Sequence, residues 1–511
     1  MDPMTPTSDK SLRTHLKTRL IVGMEIHVEL STRSKMFTRA ANVAHPDNYD
    51  APPNTLCDPI VLGMPGVLPV INKRAVEMSM LVGLALGCEV ARVTKWDRKS
   101  YYYPDLPKNY QISQYDQPLC TDGAFDVPVN NEPDAAIKTI RIIRAHLEED
   151  AGKLLHEAPG GTPIDHSIVD LNRAGTPLLE IVTHPDFETA DETLSFAQAL
   201  RNLCRSLGVS ECVMQRGHMR FEPNINVHIE RNGQSYRTPI VEIKNLNSFK
   251  ALHGAVQYEF RRQVEEWLES GREMGSGEKS TRGWDDQQKI TILQREKEDA
   301  HDYRYFPDPD LVPLTVSDEW IATVRALIGE LPLQRQKRYV QQLQLSSKDA
   351  RALLEEPQVC LFFEQVLEQG VKPTRAAAML LNYGAKQANE LGCLISELGI
   401  RAEQVKQIAD LVTADKISSS AADELFRYCC DSPDPADQLA QRHGLLQVSD
   451  TSALDGFVDQ VLADPKLTKA VEDVKNGKGK AIGALIGQVM KLSKGQANPK
   501  MVGEMIKQRL G

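Results

Sequence analysis

The chain has 511 residues, of which 41% are hydrophobic and 25% are charged, a composition typical of folded globular proteins. This length exceeds what one hydrophobic core organises, so we expect two to four domains. No uncharged run is long enough for a transmembrane helix, and residues 1–16 lack the apolar core of a secretory signal, which favours a cytoplasmic protein. The nine cysteines are scattered without C-x-x-C spacing, so the pattern predicts neither a disulfide framework nor a zinc finger and favours buried free thiols.

The first predicted element is a strand over residues 20–30, where apolar and ionisable side chains alternate. One face carries Met24, Ile26, Val28 and Leu30, and the other carries Glu25, His27 and Glu29. Side chains on one face of a strand are roughly 6.7 Å apart, so the polar face could share a divalent cation or a proton. A solvated polar face is the alternative. The carboxylates found further along the chain favour a site.

Two contrasting segments follow this strand. Asn72 is a helix cap, and the apolar spacing after it predicts a structural helix over residues 73–86. Residues 96–115 hold five tyrosines, two prolines and the basic pair Arg98 and Lys99. Tyrosine mixed with Arg and Lys can stack on bases and hold phosphates. A loop that packs its own aromatic side chains explains the composition equally well.

Carboxylates recur in the next two predicted strands. The pattern of residues 137–142 predicts a strand. It leads into residues 146–150, where four of five side chains are ionisable, which indicates a functional site or, alternatively, the charged mouth of a loop. Residues 169–182 predict strand, turn, strand, with Glu180 inside an apolar run. A buried carboxylate is costly without a partner, so Glu180 requires a metal ion or an arginine.

The rest of the chain becomes progressively more helical. A capping box, Thr189 to Glu192, begins a structural helix, and a polar-faced strand runs from Asn224. From about Val316 onward the pattern predicts short helices, with boundaries near residues 312–317 and 431–435. Residues 474–511 carry eight Lys or Arg and one Glu, or +7, which leaves −17 for the remainder of a chain whose net charge is −10. This tail suits a polyanionic partner, or it is a solvated lysine-rich helix pair.

The absence of three common nucleotide-binding and hydrolase motifs narrows the range of possible sites. The chain has no G-x-x-x-x-G-K-[ST], no G-x-G-x-x-G after a strand and no G-x-S-x-G. What remains is a carboxylate-rich site on a β scaffold, with oxygen ligands and the single histidine His27, which suits Mg²⁺ or Mn²⁺. Such a site is typical of phosphoryl transfer, where a cation offsets the charge on the transferred oxygens.

Several stretches, in order along the chain, resemble the B subunit of the aspartyl/glutamyl-tRNA amidotransferase. They are 23–30 (GMEIHVEL), 97–105 (DRKSYYYPD), 146–153 (HLEEDAGK), 170–180 (DLNRAGTPLLE), 302–307 (DYRYFP), 476–481 (NGKGKA) and 495–499 (GQANP). The resemblance covers the chain from about Leu20 to its end. It implies an α+β fold with a β-rich, cradle-like catalytic domain (18–312) after a flexible extension (1–17). An all-helical domain (313–435) and a small helical YqeY-like tail domain (436–511) follow, and the YqeY-like part can begin as early as residue 360.

The resemblance also implies an activity. The B subunit of this family uses ATP and Mg²⁺ to phosphorylate the side-chain carboxylate of Glu-tRNA(Gln) or Asp-tRNA(Asn). Ammonia that an amidase subunit releases from glutamine then displaces the phosphate, giving Gln-tRNA(Gln) or Asn-tRNA(Asn), and a third, small subunit joins the other two in a heterotrimer. The enzyme is therefore a carbon–nitrogen ligase with glutamine as amido donor. The resemblance leaves open which of the two misacylated tRNAs is the substrate.

By the same resemblance, particular residues take roles at the site. The metal ligands and catalytic residues are His27, Glu149 and Glu180, with Glu25 adjacent and sharing the ion. Arg98 and Lys99 are expected phosphate contacts, and Lys478, Lys480 and Lys494 are expected contacts to the tRNA backbone.

This sequence departs from the family at two places. In residues 215–224, Glu222 stands where many members have Asp, and Arg216 reverses a charge, which puts a role for that segment in doubt. Only Cys57 remains of a cysteine set that some members use for zinc, so we expect no zinc.

Two further hypotheses belong to other classes. One is a tRNA-binding scaffold protein that has lost its metal site, and the other is a metal-dependent hydrolase that uses the same carboxylates. Retention of all four expected ligands favours the ligase over the scaffold. The absence of a nucleophile-plus-base motif weighs against the hydrolase.

Overall fold

The computed structural model describes residues 16–130, 135–158, 161–275, 279–296, 303–447, 451–475, 481–493 and 497–510. The chain divides into two compact units, Met1–Arg335 and Gln336–Gly511. Strands and helices build the first unit and helices alone build the described part of the second, which confirms the predicted α+β class. Within the described residues, no helix is both long enough and apolar enough to cross a membrane.

The first unit is organised on one large sheet. Its strands are β1 (Leu16–Glu29), β2 (Glu89–Val90), β6 (Cys120–Pro128), β7 (Ile137–Glu149), β10 (Pro177–Thr183), β11 (Met219–Arg231), β12 (Gln234–Arg237), β13 (Ile240–Lys244), β14 (Lys279–Asp285) and β15 (Ile290–Glu296). Among the described residues the order is β15-β14-β13-β11-β1-β10-β7-β6-β2, with β12 paired to β11. Strand β1 therefore lies between β11 and β10, and both pairings are antiparallel.

Smaller pairings complete the strand set of this unit. They use β3 (Val93–Thr94), β4 (Asp97–Ser100), β5 (Tyr110–Ser113), β8 (Lys153–Ala158), β9 (Thr162–Asp170), β16 (Phe306–Pro307) and β17 (Leu314–Thr315). The pairing of β4 with both β5 and β16 brings residues from both ends of the unit together.

Strand β1 confirms the predicted alternation. Leu20, Val22, Met24, Ile26 and Val28 are 0–4% exposed, whereas Glu25 and His27 on the other face are only half-buried. The apolar face belongs to a core shared with α1 (Lys73–Ala85), α2 (Ala190–Ser206) and α3 (Phe249–Ser270). Since these helices cover that face, the sheet offers its opposite face for ionisable side chains.

Polar caps fix where the first two helices begin. The Asn72 side chain accepts hydrogen bonds from the amides of Arg74 and Ala75, and the Thr189 side chain accepts from the amide of Glu192. Both predicted helix starts are therefore confirmed. The predicted 137–142 strand is longer than expected and runs to Glu149, because β7 keeps pairing with β10 through the charged stretch.

The second unit is helical. Helix α4 (Asp318–Arg325) ends the first unit, and α5 (Pro332–Gln341) spans the division. The helices of the second unit are α6 (Ser347–Leu354), α7 (Pro357–Glu368), α8 (Pro373–Ala378), α9 (Ala385–Leu391), α10 (Ala402–Thr413), α11 (Ser419–Asp431), α12 (Ala436–Arg442), α13 (Thr451–Leu462), α14 (Thr468–Lys475), α15 (Ile482–Leu492) and α16 (Pro499–Leu510). One core lies within residues 339–440 and a separate one within 454–506.

Candidate active site

The register of four strands builds the site. On the polar face of β1, His27 is paired with Glu180 of β10 on one side and with Arg220 of β11 on the other. Glu180 is in turn paired with His146 of β7. A row of four ionisable side chains thus crosses the middle of the sheet, because each strand has the same face turned to the same side.

Three side chains in and beside this row form the first acidic cluster, which consists of His27, Glu148 and Glu180. Each offers a ligand atom, and these atoms lie within 4.8 Å of one another. Nε2 of His27 is 3.6 Å from Oε2 of Glu180. One imidazole nitrogen and two carboxylates are a donor set that Mg²⁺ or Mn²⁺ accepts.

Burial and mutual charge shift the pKa values of this cluster. Burial raises the pKa of Glu148 to about 7, and the charge of Glu180 adds to the shift. Burial would lower the pKa of His27, but the hydrogen bond and charge of Glu180 outweigh it and raise that pKa to about 9. Burial opposes ionisation of Glu180, yet His146 and His27 hold its pKa below the ordinary value. The cluster therefore holds protons that a divalent cation would displace.

His146 is a buried neighbour of the first acidic cluster. Its Nε2 atom is 3.5 Å from Oε2 of Glu180 and 3.9 Å from Oε2 of Glu148. Burial lowers the pKa of His146 to about 4, so at neutral pH the ring is uncharged. The uncharged ring therefore lies beside two carboxylates without neutralising either.

The structure does not bring Glu149, a predicted metal ligand, to this cluster. Successive residues of β7 point to opposite faces of the sheet, so Glu149 lies on the face opposite His146 and Glu148. There it accepts hydrogen bonds from Nζ of Lys108 and from the amide of Ile112. The strand was predicted over residues 137–142 only, whereas β7 continues to Glu149 and so places the two adjacent glutamates on opposite faces. Glu148, and not Glu149, therefore lies with His27 and Glu180.

A second acidic cluster, which consists of Glu25, Glu222 and Glu242, lies on the same face of the sheet. Its ligand oxygens also fall within 4.8 Å of one another. Register explains it, because Glu25 of β1 is paired with Glu222 of β11, and Glu242 of β13 is paired with Asn224 two residues further along β11. Burial raises the pKa of Glu25, as does the nearby charge of Glu180.

This second cluster changes two expectations. Glu25, predicted to share the ion of His27, groups with two other glutamates instead. Glu222, whose departure from the family put its role in doubt, supplies one of the three carboxylates. Partial compensation comes from Lys244, whose Nζ donates to Oε2 of Glu222 at 3.0 Å. The sequence signal that could have found Glu242 is its place inside the apolar strand Ile240–Lys244, the same signal that identified Glu180.

The two predicted phosphate contacts differ in their surroundings. Arg98 donates to Oδ2 of Asp308 at 2.7 Å and to Oδ2 of Asp310 at 3.0 Å. Its guanidinium is thereby held in ion pairs within the fold. Lys99 faces the first acidic cluster: burial would lower its pKa, but the charge of Glu148 and other neighbours raises it. The Nζ atom of Lys99 lies 5.0 Å over the ring of Tyr303.

A buried ion-pair group that the sequence did not predict lies at the end of β1. Glu29 is 2% exposed and adjoins Asp150, which pairs with Nη2 of Arg220 at 2.6 Å. Burial, with the charge of Asp150, raises the pKa of Glu29 to about 8. Glu29 therefore belongs to a buried ion-pair group, apart from the two acidic clusters. The predicted tRNA contacts Lys478, Lys480 and Lys494 lie outside the described residues.

The chain is similar to proteins of one family over nearly its whole length. Residues 20–322 match the family model described as the GatB/GatE catalytic domain, and residues 361–510 match the one described as the GatB domain. Proteins named as the B subunit of the aspartyl/glutamyl-tRNA(Asn/Gln) amidotransferase are similar along their full length. The one from Carboxydothermus hydrogenoformans is 41% identical over 492 residues, 96% of this chain and 98% of that protein. The one from Geobacillus kaustophilus is 42% identical over 492 residues, with the same coverage, and the one from Rhodopirellula baltica is 39% identical over 488 residues, 95% of each chain.

Proposed function

The chain belongs to the GatB/GatE family, and on that premise we propose that it is the ATP-dependent subunit of a glutamine-dependent tRNA amidotransferase. It activates the side-chain carboxylate of Glu-tRNA(Gln) or Asp-tRNA(Asn), and ammonia from a partner amidase subunit completes the amide. A small subunit is the third member of the complex. We place the reaction in the cytoplasm because its substrate is a charged tRNA.

The observation that carries the proposal is the pair of acidic clusters on one face of the sheet. A carboxylate is a poor electrophile, so amide formation needs a better leaving group on the carbonyl carbon. Transfer of the terminal phosphoryl group of ATP to a carboxylate oxygen provides one, releasing ADP. Attack by ammonia then forms the carbon–nitrogen bond, and phosphate leaves with the former carboxylate oxygen.

The residues fit Mg²⁺ through the chemistry of their donors. His27, Glu148 and Glu180 would hold one ion, and Glu25, Glu222 and Glu242 would hold another. Ions there would neutralise charge on the transferred oxygens. The chain's own part is to keep these carboxylates close together, with Lys99 and Arg144 as cations beside the first cluster. We assign Arg98 a positioning role, because its ion pairs with Asp308 and Asp310 join the strand that presents Lys99 to the segment that follows Phe306.

The structure weighs against the scaffold alternative. Both acidic clusters are complete in the described residues, whereas the scaffold hypothesis requires a lost metal site. The proposal also includes contacts to tRNA from Lys478, Lys480 and Lys494. This part of it rests on the family resemblance and on the charge of these residues.

The test is amide formation by the chain assembled with the amidase and small subunits, supplied with glutamine, ATP, MgCl₂ and each misacylated tRNA in turn. We expect Glu180→Gln to lower the rate at least about 100-fold, as the loss of one electrostatic contact to a transition state commonly does. The matched control is Glu230→Gln, an exposed carboxylate on β11, which should keep full activity. Full amide formation by the Glu180→Gln variant would refute the site, and no ATP-dependent amide from the unmodified chain would refute the function.

A further inference from the structure

Two of the three carboxylates of the second acidic cluster are held by side chains of the strands that carry the cluster. Nδ2 of Asn224, on β11, donates to Oε1 of Glu25 at 3.0 Å. Nζ of Lys244, on β13, donates to Oε2 of Glu222 at 3.0 Å. The third carboxylate, that of Glu242, is held from a strand outside this set.

The donor to Glu242 comes from β14, which contributes no carboxylate to either acidic cluster. The hydroxyl of Thr281 donates to Oε2 of Glu242 at 3.0 Å. The two residues are paired directly across the parallel ladder of β13 and β14, and each is 7% exposed. Oε1 of Glu242 is 3.5 Å from Nζ of Lys279, two residues before Thr281. Both oxygens of this carboxylate therefore lie close to residues of β14.

The hydroxyl of Thr281 is suited to orienting a buried carboxylate. It is uncharged, so it can fix the rotation of the Glu242 carboxylate and leave the full negative charge for a cation. The ammonium of Lys279 is a point charge on a flexible stem, and it attracts the carboxylate without defining its orientation. Hydrogen-bond partners of metal ligands commonly control both the orientation of the ligand and the affinity of the site.

The position of Thr281 is itself fixed by the structure around β14. The register between β14 and β15 shifts between Thr281 and Arg282, and such bulges commonly re-aim a side chain near a functional site. Nε of Arg282 is 3.3 Å from Oε1 of Glu259, which lies on α3 and is 0% exposed. Nη2 of Arg282 also donates to the carbonyl of Thr291, on β15, at 2.8 Å. Strand β14 is therefore anchored to α3 and to β15 at the residue that follows Thr281.

We propose that Thr281 is a positioning residue for the second acidic cluster, and that its hydroxyl holds the Glu242 carboxylate in the orientation that receives a cation. The inference rests on the proposed function, because it takes the second cluster to be a metal site. Thr281 acts through Glu242 and contacts neither the substrate nor the reacting atoms. Loss of its hydroxyl therefore weakens the cation site without removing a ligand.

The first test is a titration of the full chain with Mn²⁺, followed by electron paramagnetic resonance, without ATP, tRNA or the other subunits. Thr281→Val keeps the β-branched shape and removes the donor, so it should weaken Mn²⁺ binding to the second cluster at least about tenfold. Thr281→Ser is the matched control, because it keeps the hydroxyl, and its affinity should stay within about threefold of the unmodified chain. The loss caused by Thr281→Val should persist in a Glu148→Gln background, which assigns it to the second cluster.

The second test follows amide formation by the assembled enzyme while the concentration of free Mg²⁺ is varied at constant ATP. Thr281→Val should raise the Mg²⁺ concentration for half-maximal rate at least about tenfold and keep the rate at saturating Mg²⁺ within about threefold. Thr281→Ser should restore the ordinary Mg²⁺ requirement. A purely structural role would instead lower the thermal unfolding temperature and leave the Mg²⁺ requirement unchanged.

Three results would overturn the inference. Unchanged Mn²⁺ affinity in a folded Thr281→Val variant is one, and equal weakening by Thr281→Val and Thr281→Ser is another, because the hydroxyl would then not be the cause. Thr281→Ala, which also lacks the hydroxyl and is smaller, provides the same comparison if valine prevents folding. The third result, no Mn²⁺ bound at the second cluster of the unmodified chain, would refute the proposed metal site as well, which distinguishes it from the first two.

Discussion

At the residue scale, strand periodicity separates two adjacent glutamates into different tasks. Glu148 faces His27 and Glu180, whereas Glu149 faces the other side of the sheet and binds Lys108. The same carboxylate chemistry therefore contributes to a candidate cation site on one face and to a buried ion pair on the other. The position of each glutamate along β7, and not its residue type, decides which side chains it contacts.

We expect Glu148→Gln to weaken binding of Mn²⁺ to the first acidic cluster. The substitution keeps the shape of the side chain and removes one of the two ligand charges, which should cost at least about tenfold in affinity. Mn²⁺ prefers the same ligands as Mg²⁺ and can be followed by electron paramagnetic resonance during a titration.

Glu149→Gln is the matched variant with the opposite expectation. It should leave Mn²⁺ affinity unchanged but destabilise the chain by about 3–5 kcal/mol, because it leaves the buried ammonium of Lys108 unpaired. The Lys108 side chain is only 9% exposed, so solvent cannot replace the lost partner. If both variants weakened Mn²⁺ binding equally, the division of roles along β7 would be wrong.

The raised pKa of Glu29 predicts a pH dependence of stability. In the unfolded chain, Glu29 loses its proton near the ordinary pKa of 4.5. In the folded chain, it keeps the proton to about pH 8. The folded state therefore binds more protons between these values, so the Glu29 contribution to stability falls as pH rises through that window. Glu29→Gln removes the titration. The variant should therefore gain stability relative to the unmodified chain as pH rises. The difference between the two free energies of unfolding should be about 1–3 kcal/mol larger at pH 8 than at pH 5.

Urea unfolding of both chains at pH 5, 6.5 and 8 measures this difference directly. Comparing the variant with the unmodified chain at each pH cancels the contributions of all other titrating groups. A difference in unfolding free energy that stays constant across the three values would show that Glu29 is ionised when folded.

Part of the site could be predicted from the sequence. Alternation along β1 placed Glu25 and His27 on one polar face, and the apolar neighbours of Glu180 indicated a buried carboxylate that needs a cation. Glu148 and Glu222 could not be chosen in the same way, because their membership depends on the register between strands that are distant in sequence. Local periodicity predicts the face of a strand but not its partner.

At the element scale, the pairing of β4 with β16 carries information that no local pattern contains. The 306–307 segment returns to β4 after some two hundred residues, and Arg98 holds it through Asp308 and Asp310. From the sequence alone, Arg98 beside Lys99 looked like a free cation for phosphate. Its partners are remote in the chain, so charge and placement could not reveal that the guanidinium was already paired.

Arg98→Met tests this element-scale role. The Asp308 side chain is fully buried, so losing the guanidinium leaves an unpaired buried carboxylate and should cost about 3–5 kcal/mol. Thermal unfolding measures the loss, and adding Asp308→Asn should recover part of it, because the second change removes the orphaned charge. In the folded Arg98→Met variant, the KM for ATP should stay within about threefold, as expected of a residue that does not touch phosphate.

The opposite pattern would restore the original hypothesis for this residue. Unchanged stability together with a large rise in the KM for ATP would mean that Arg98 contacts phosphate.

At the scale of the whole molecule, the change from strands to helices was predictable and the exact division was not. Interior carboxylates and histidines become sparse after about Val316, which indicated a different kind of unit. The division between compact units falls at Arg335 and Gln336, inside α5 (Pro332–Gln341). A helix crosses it, so no break in local pattern marks the place. The predicted boundaries near 312 and 435 remain predictions.

Separate cores predict separate unfolding. The core of the first unit contains Phe196 and that of residues 339–440 contains Phe363, and each side chain is 0% exposed. We expect differential scanning calorimetry of the full chain to show more than one transition, since two-state behaviour is common only within single domains. Phe196→Ala and Phe363→Ala should each cost about 3–5 kcal/mol but lower different transitions, because each leaves a cavity in one core only. A single transition that both substitutions lower equally would mean that the two cores unfold as one cooperative structure, and the division into units would then carry no thermodynamic meaning.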